Sequence, residues 1–317
     1  MLVIRNDRFG EFLLNIPAMR ALKEAYPQAK LTLAVSREVV ELAAAVECVD
    51  EVVVWDEVKG KLRKYKFDLC VILNPTKEAH WAVFWAGIPT RVGYDRKWGF
   101  LLTHKLKDTK NLGNRHEVDC NLELVGLLGV KTLDKTLKIK VNDNLFREFI
   151  VQDRGQSPSG TVPFLLVAIH PFTSDVVKQW PVERFEELAQ RIKRELGLKV
   201  VMVGKNGIAS PRQGGARNDG MGDGVVSMIN QTSLMELAAL LKRCSLLISC
   251  DSGPMHLAAS VGTPVVALFR NDLPGKTAKR WGPWGEGHTV IEKSSLLDIS
   301  VDEVIDSVAK VLGCKGI

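Results

Sequence analysis

The sequence predicts an α/β protein made of two doubly wound parallel halves. Between residues 1 and 94, short apolar runs alternate with helical patterns, the mark of a parallel sheet with crossover helices. A segment rich in Gly, Pro and Ser at 154–163 (RGQSPSGTVP) interrupts this order, and the alternation then restarts. The stretch 246–269, LLISCDSGPMHLAASVGTPVVALF, opens with an apolar run lacking any alternation, as expected of a strand buried on both faces.

Taken in order, 1–4 reads as a strand and 5–10 as a loop. The next segment, 11–26, repeats Leu13, Leu14, Met19, Leu22 and Tyr26 at near-helical spacing, and Pro27 ends it. Strands are expected at 31–35, 52–55, 69–73 and 91–94, and helices at 39–46 and 76–86. The run 59–66 (KGKLRKYK) reads as a basic helical face, and 96–114 as an irregular basic stretch carrying Trp98, Phe100 and Leu101. Amphipathic helices follow at 117–128 and 143–153. After the linker come a strand at 164–169, a loop at 170–180, a helix at 181–196 and a strand at 199–203. Residues 204–224 read as a glycine-rich loop, followed by a strand at 225–228 and a helix at 233–242. Within 246–269 the elements are a strand (246–249), a polar turn (250–253), a helix (254–261) and a strand (265–269); 301–312 closes the chain as an amphipathic helix. The implied domains are 1–155 and 156–317, with the last helix free to pack back on the first.

The composition is that of a globular chain, with 46% hydrophobic and 25% charged residues. A formal charge of +6 suits anionic partners without selecting nucleic acid. The chain opens directly on a strand with no leader pattern, and its longest apolar runs are too short to span a bilayer. The six cysteines are scattered, with no CxxC pair, and read as buried thiols of a cytoplasmic protein.

Three stretches carry possible chemistry. In RNDRFGEFLLNIPAMR (5–20), a strand feeds a turn and a helix. Gly10 would allow close backbone approach or a positive φ, and Glu11 at the helix start can accept a proton from a hydroxyl. The alternative is a capping carboxylate stabilised by the helix dipole. In HPFTSDVVKQWPVERF (170–185), the loop brings Thr173, Ser174 and Lys178 to a helix start. Hydroxyls and an ammonium there suit a diphosphate, with Lys178 offsetting charge on a leaving phosphate. Otherwise Trp180 and Phe185 form an apolar staple and Lys178 is solvated. In 250–256, Asp251 suits sugar hydroxyls, while Ser252, Gly253 and the following amides form an anion-binding helix start. His256 lies in the first helical turn, as a phosphate ligand or a structural histidine. The sequence has no GxGxxG opening a βαβ unit, GxxxxGK[ST] loop, GxSxG elbow or Asp-x-Asp pair.

Together, IRNDRFGEFLLNIPAMRALKEAYP, IHPFTSDVVKQWPVERFEELA and LLISCDSGPMHLAASVGTPVVALF, followed by Trp281-Gly282-Pro283, resemble glycosyltransferase family 9, the ADP-heptose–lipopolysaccharide heptosyltransferases. The resemblance implies a glycosyltransferase-B fold of two Rossmann-like domains facing across a cleft. It also implies an ADP-sugar donor, no metal or other cofactor, and inversion at the anomeric carbon. Glu11 stands where the family usually has an Asp thought to be the base for the acceptor hydroxyl. Its carboxyl reaches about one methylene further, with an intrinsic pKa of about 4.3 against about 3.9. The resemblance assigns donor binding to Gly10, Thr173, Ser174, Lys178, Thr232, Asp251, Ser252, Gly253 and His256, with Thr232 near the adenine. It also implies an anionic glycolipid acceptor and no nucleic-acid partner. The basic stretches 59–66 and 96–110 are candidates for peripheral contact with the inner face of the cytoplasmic membrane. Two alternatives stand beside this reading: a nucleotide-sugar-binding protein with little transferase activity, or a nucleotide-sugar epimerase or hydrolase.

Overall fold

The computed structural model describes residues 1–146, 165–205 and 225–314. The chain divides into two compact units, Met1–Lys140 and Val141–Ile317. The sequence-expected boundary at 155/156, the linker 154–163, most of the helix expected at 143–153 and most of the glycine-rich loop lie outside the described residues.

The first unit holds six parallel strands: β1 (Leu2–Arg5), β2 (Thr32–Val35), β3 (Glu51–Val54), β4 (Leu69–Ile72), β5 (Thr90–Asp95) and β6 (His104–Lys107). Their order is β3-β2-β1-β4-β5-β6, with Leu2 level with both Thr32 and Cys70. The central strands are short, apolar and buried throughout, as a sheet covered on both faces requires. The helices are α1 (Phe9–Leu13), α2 (Ile16–Ala25), α3 (Val40–Ala44), α4 (Trp55–Val58), α5 (Lys77–Trp85) and α6 (Glu117–Gly126). The single helix expected at 11–26 is therefore two. Pro17 has no N–H to give Leu13, and the side chain of Asn15 donates to the Glu11 carbonyl at 2.5 Å where the axis breaks. The helical face expected at 59–66 is instead a short helix ending at Val58 and a 3-10 turn at Leu62–Tyr65.

The second unit repeats the plan with β7 (Leu166–His170), β8 (Lys199–Met202), β9 (Val225–Ser227), β10 (Leu246–Cys250), β11 (Val265–Arg270) and β12 (Thr289–Lys293), in the order β12-β11-β10-β7-β8-β9. Numbered within its own unit, this is the same strand order as the first. Its helices are α7 (Val182–Leu196), α8 (Leu234–Arg243), α9 (Gly253–Ser260), α10 (Ala278–Trp281) and α11 (Val301–Leu312). The amphipathic α7 buries Phe185, Leu188, Ala189 and Ile192, and Gly197 at φ 65° ends it in the left-handed region. Trp180 meets Phe185 edge to face at 4.8 Å and donates its indole N–H to the Ile299 carbonyl at 3.1 Å. The closing α11 places Val304, Ile305 and Val308 in this same core.

The strand order fixes where ligands can sit. In each sheet the crossovers turn in opposite directions from a central pair, β1/β4 in the first unit and β7/β10 in the second. The carboxyl ends of such a pair leave a crevice that the connecting helices do not fill.

Candidate active site

The first unit's switch point is closed by charged and amide side chains. Arg5, buried at the end of β1, donates to the Leu73 carbonyl beyond β4 at 3.1 Å and pairs with Asp7 at 2.7 Å. Asn74 donates to the Asn6 side chain at 3.1 Å, and Ser36 beyond β2 to the Asp7 carbonyl at 3.2 Å. Glu11 is the third residue of α1 rather than the first, half-buried above this edge. Burial raises its carboxyl above the ordinary value, and Asp7 pushes the same way against Arg5 and Arg8. Gly10 is the second residue of α1 and is buried; of the two roles the sequence allows it, close backbone approach or a positive φ, it does not adopt the second. The adjoining Pro17 kink, not Gly10, supplies the bend.

The second unit's switch point gathers most of the other residues. Lys178 ends a 3-10 turn, Val176–Lys178, capped by the Asp175 side chain. Its ammonium donates to the carboxylate of Asp251, the first residue beyond β10, with side-chain exposures of 19% and 11%. Burial raises the Asp251 carboxyl, and Lys178 acts against that rise. Thr173 is held from both sides: its N–H donates to Gln179 Oε1 at 2.9 Å and its hydroxyl to the Asp175 carbonyl at 2.7 Å. Ser174 is exposed in the same loop. Ser252 occupies the N-cap position of α9 without capping it; its hydroxyl lies 2.8 Å from Ser249 Oγ and 3.2 Å from His170 Nδ1. The amides of Gly253 and Met255, and the dipole of the helix start, thus remain available to an anion.

His170 is buried beneath this turn, and burial lowers its pKa to about 4, so the ring is neutral near pH 7. Gly204 at φ 120° lies against it: a Cβ there would fall 2.7 Å from His170 Nε2 and closer still to Cδ2. His256, at 3% exposure, is turned into the protein, so the structure does not bring its ring to the surface of the turn. Thr232 is half-buried beyond β9, just before Ser233, whose capping box with Glu236 starts α8. Two cations not singled out from the sequence brace the Lys178 loop, one from the end of β11 and one from the segment after it. Arg270 donates to the Val177 carbonyl at 2.9 Å while chelating Asp272, and Lys276 meets Asp175 at 3.3 Å. Their signal in the sequence is charge at, or within six residues of, the end of an apolar strand.

Among the described residues no group of His, Cys, Asp and Glu could hold a metal ion. The six cysteines are free.

Two sheets of identical doubly wound order, one carrying a carboxylate at its switch point and the other an open helix start beside a lysine, define a two-domain α/β enzyme of the glycosyltransferase-B type. The family profile described as "Glycosyltransferase family 9 (heptosyltransferase)" matches residues 55–298. The chain belongs to that family and is a glycosyltransferase drawing on a nucleotide sugar. It is 22% identical to lipopolysaccharide heptosyltransferase 3 of Escherichia coli K12, over 87% of this chain and 83% of the relative. It is 23% identical to lipopolysaccharide heptosyltransferase 2 of Salmonella typhimurium, over 100% and 99% respectively. In fold it is similar to the structure of E. coli ADP-heptose lps heptosyltransferase II, with a TM-score of 0.81 and 21% identity over 98% of each chain.

Proposed function

We propose that the protein moves a heptose or related sugar from an ADP-sugar to a hydroxyl of a lipopolysaccharide core or similar anionic glycolipid, with inversion and without a metal, at the inner face of the cytoplasmic membrane. The observation that carries this reading is the Lys178–Asp251 pair beside the uncapped start of α9. A cation and free amides at a switch point suit a pyrophosphate, and an adjacent carboxylate suits sugar hydroxyls. The protein's similarity to lipopolysaccharide heptosyltransferases supports the choice of donor sugar and acceptor.

The step is a single displacement. The acceptor oxygen attacks the anomeric carbon as Glu11 takes its proton. The bond from that carbon to the diphosphate oxygen breaks, and the leaving diphosphate carries its electron pair to Lys178 and the amides of α9. A carboxyl raised by burial is the stronger base for this task, provided it stays ionised at working pH. Glu11→Gln should lower transfer by about 10²–10⁴-fold, the ordinary share of a general base, and leave ADP affinity unchanged. Wild-type turnover by that variant, with ADP-heptose and a core acceptor, would remove Glu11 from the role.

A further inference from the structure

The outward side of α5 carries Trp81, Phe84 and Trp85 at helical spacing, while Ala79 and Val83 face the core. Trp98 and Phe100, from the turn at Gly99–Leu101 and the residue before it, close against them. Ring centroids lie 6.0 Å apart for Trp81–Trp85, 6.2 Å for Trp81–Trp98 and 6.4 Å for Trp81–Phe100. The core does not absorb this cluster: Trp85 is 72% exposed and Phe100 66%. Contiguous exposed aromatic surface of this kind marks an interaction site.

Cations frame the cluster. Lys77 and Lys97 stand 5.3 Å and 5.7 Å from the Trp98 ring centre, and neither meets a carboxylate among the described residues. Four cations of the basic stretches are instead neutralised within the protein. Arg96 pairs with Asp108, Lys105 with Asp95, and Lys59 with both Asp56 and Glu78. Lys110 is buried against Glu117. Those four charges are spent within the protein, whereas the two lysines beside the aromatic rings keep theirs.

We propose that this aromatic face of α5 and the 98–100 turn, with Lys77 and Lys97, docks the protein on an anionic lipid bilayer. Indole rings favour the headgroup level, where an apolar body and a polar N–H are both accommodated, and lysines beside them meet acidic headgroups. A second copy of the chain is the poorer occupant. Two-fold self-pairing would set Lys77 and Lys97 against their own counterparts with no acidic residue of the cluster to offset them. The proposal deepens the glycolipid-acceptor reading above. α5 also begins just beyond β4, whose carboxyl end belongs to the same switch point as Glu11, so docking here would hold a lipid-borne acceptor near that edge.

The test is co-sedimentation with vesicles of phosphatidylcholine alone and of phosphatidylcholine with phosphatidylglycerol, without donor or acceptor. The wild-type protein should sediment with the phosphatidylglycerol vesicles and remain in solution with the neutral ones. Trp85→Ala with Phe100→Ala should weaken the partition at least about tenfold, and Lys77→Glu with Lys97→Glu should abolish the preference for anionic lipid. The second pair reverses charge at the rim of the cluster and removes no ring, so it keeps the test decisive if the first perturbs folding, which thermal melts would reveal. ADP affinity by calorimetry should be the same in all three proteins, so a failure of docking is separable from a failure of the transfer reading. Wild-type protein that ignores phosphatidylglycerol, variants that bind it as wild type does, or a wild-type dimer that the aromatic pair of substitutions turns into a monomer with vesicle binding intact would each overturn the proposal.

Discussion

Replacing Lys178 with Met keeps the methylene stem and removes only the charge that faces Asp251. The Asp251 carboxyl is short and 11% exposed, so it has no ready route to water once its counter-ion is gone. Breaking a fully buried pair from one side costs about 3–5 kcal/mol, and this pair retains some solvent access, so about 1–3 kcal/mol is the expected loss. For a unit spanning residues 141–317 that corresponds to a fall in Tm of roughly 2–10 °C. The loss should depend on pH. Burial already raises Asp251, and Lys178 opposes that rise, so the variant's carboxyl moves further up. A folded carboxyl raised above its unfolded value retains a proton that the unfolded chain has released. The stability it supplies is complete below the unfolded pKa of about 3.9 and is lost as pH climbs through the folded value. Lys178→Met should therefore melt close to wild type near pH 4 and well below it near pH 8. Asp251→Asn should cost less, because the longer lysine can swing its ammonium to water. The double variant should recover most of the deficit of Lys178→Met. Circular dichroism melts of the four proteins across this range decide the matter. A Lys178→Met melt equal to wild type near pH 8, or a double variant no better than the single, refutes the pairing. In calorimetry the same variant should lose about 10–100-fold in ADP affinity, the worth of one charge-assisted hydrogen bond.

Two further outcomes concern the ground beneath the turn. His170 is held neutral with a pKa of about 4 against 6.5 unperturbed, so its contribution is present above about pH 6.5 and is lost as pH falls toward 4. Urea denaturation should show wild type losing about 2 kcal/mol between about pH 7 and pH 5 through this group, and His170→Gln should flatten that slope; an unchanged slope would remove the assignment. Gly204→Ala combines a left-handed backbone with a Cβ driven into the His170 ring, and should cost about 2–4 kcal/mol while weakening ADP binding through the displaced Ser252. Wild-type stability in that variant would show that the ring can yield.

The central strands were legible because they contain almost no polar residue. LVIR, LCVI and LLISC can be buried on both faces only in a parallel sheet. The edge strands β6 (HKLK) and β12 (TVIEK) escaped notice for the opposite reason. An edge strand is held by backbone pairing on one side and keeps its charges toward water, so composition does not announce it. The break at Asn15 was foreshadowed by Pro17 yet masked by an uninterrupted apolar spacing. At the site, each motif named its own residues, and Lys178 and Asp251 were both singled out. Their contact, across 73 residues of chain, follows from β7 and β10 being neighbours and not from any spacing. The roles of Gly204, Arg270 and Lys276 depend on tertiary approach alone, which one sequence does not encode in a local pattern.

The two switch points differ in the groups they present, in a way that suits different reactants. In the first unit, Arg5 is committed to Leu73 and Asp7, leaving Glu11 beside Asp7 in a setting that raises its carboxyl. Such an edge suits a neutral hydroxyl that must give up a proton. In the second, each cation has a carboxylate partner, Lys178 with Asp251, Lys276 with Asp175 and Arg270 with Asp272, Arg270 also tethers the Lys178 loop through Val177, and α9 presents amides without a side-chain cap. An anion there would gain the helix dipole and a lysine already positioned by Asp251, at the cost of loosening that pair. Identical strand orders thus present different chemical groups through a few residues at the carboxyl ends of their strands. Exchanging charge between those edges, rather than altering either sheet, is the change expected to destroy transfer while leaving both units folded.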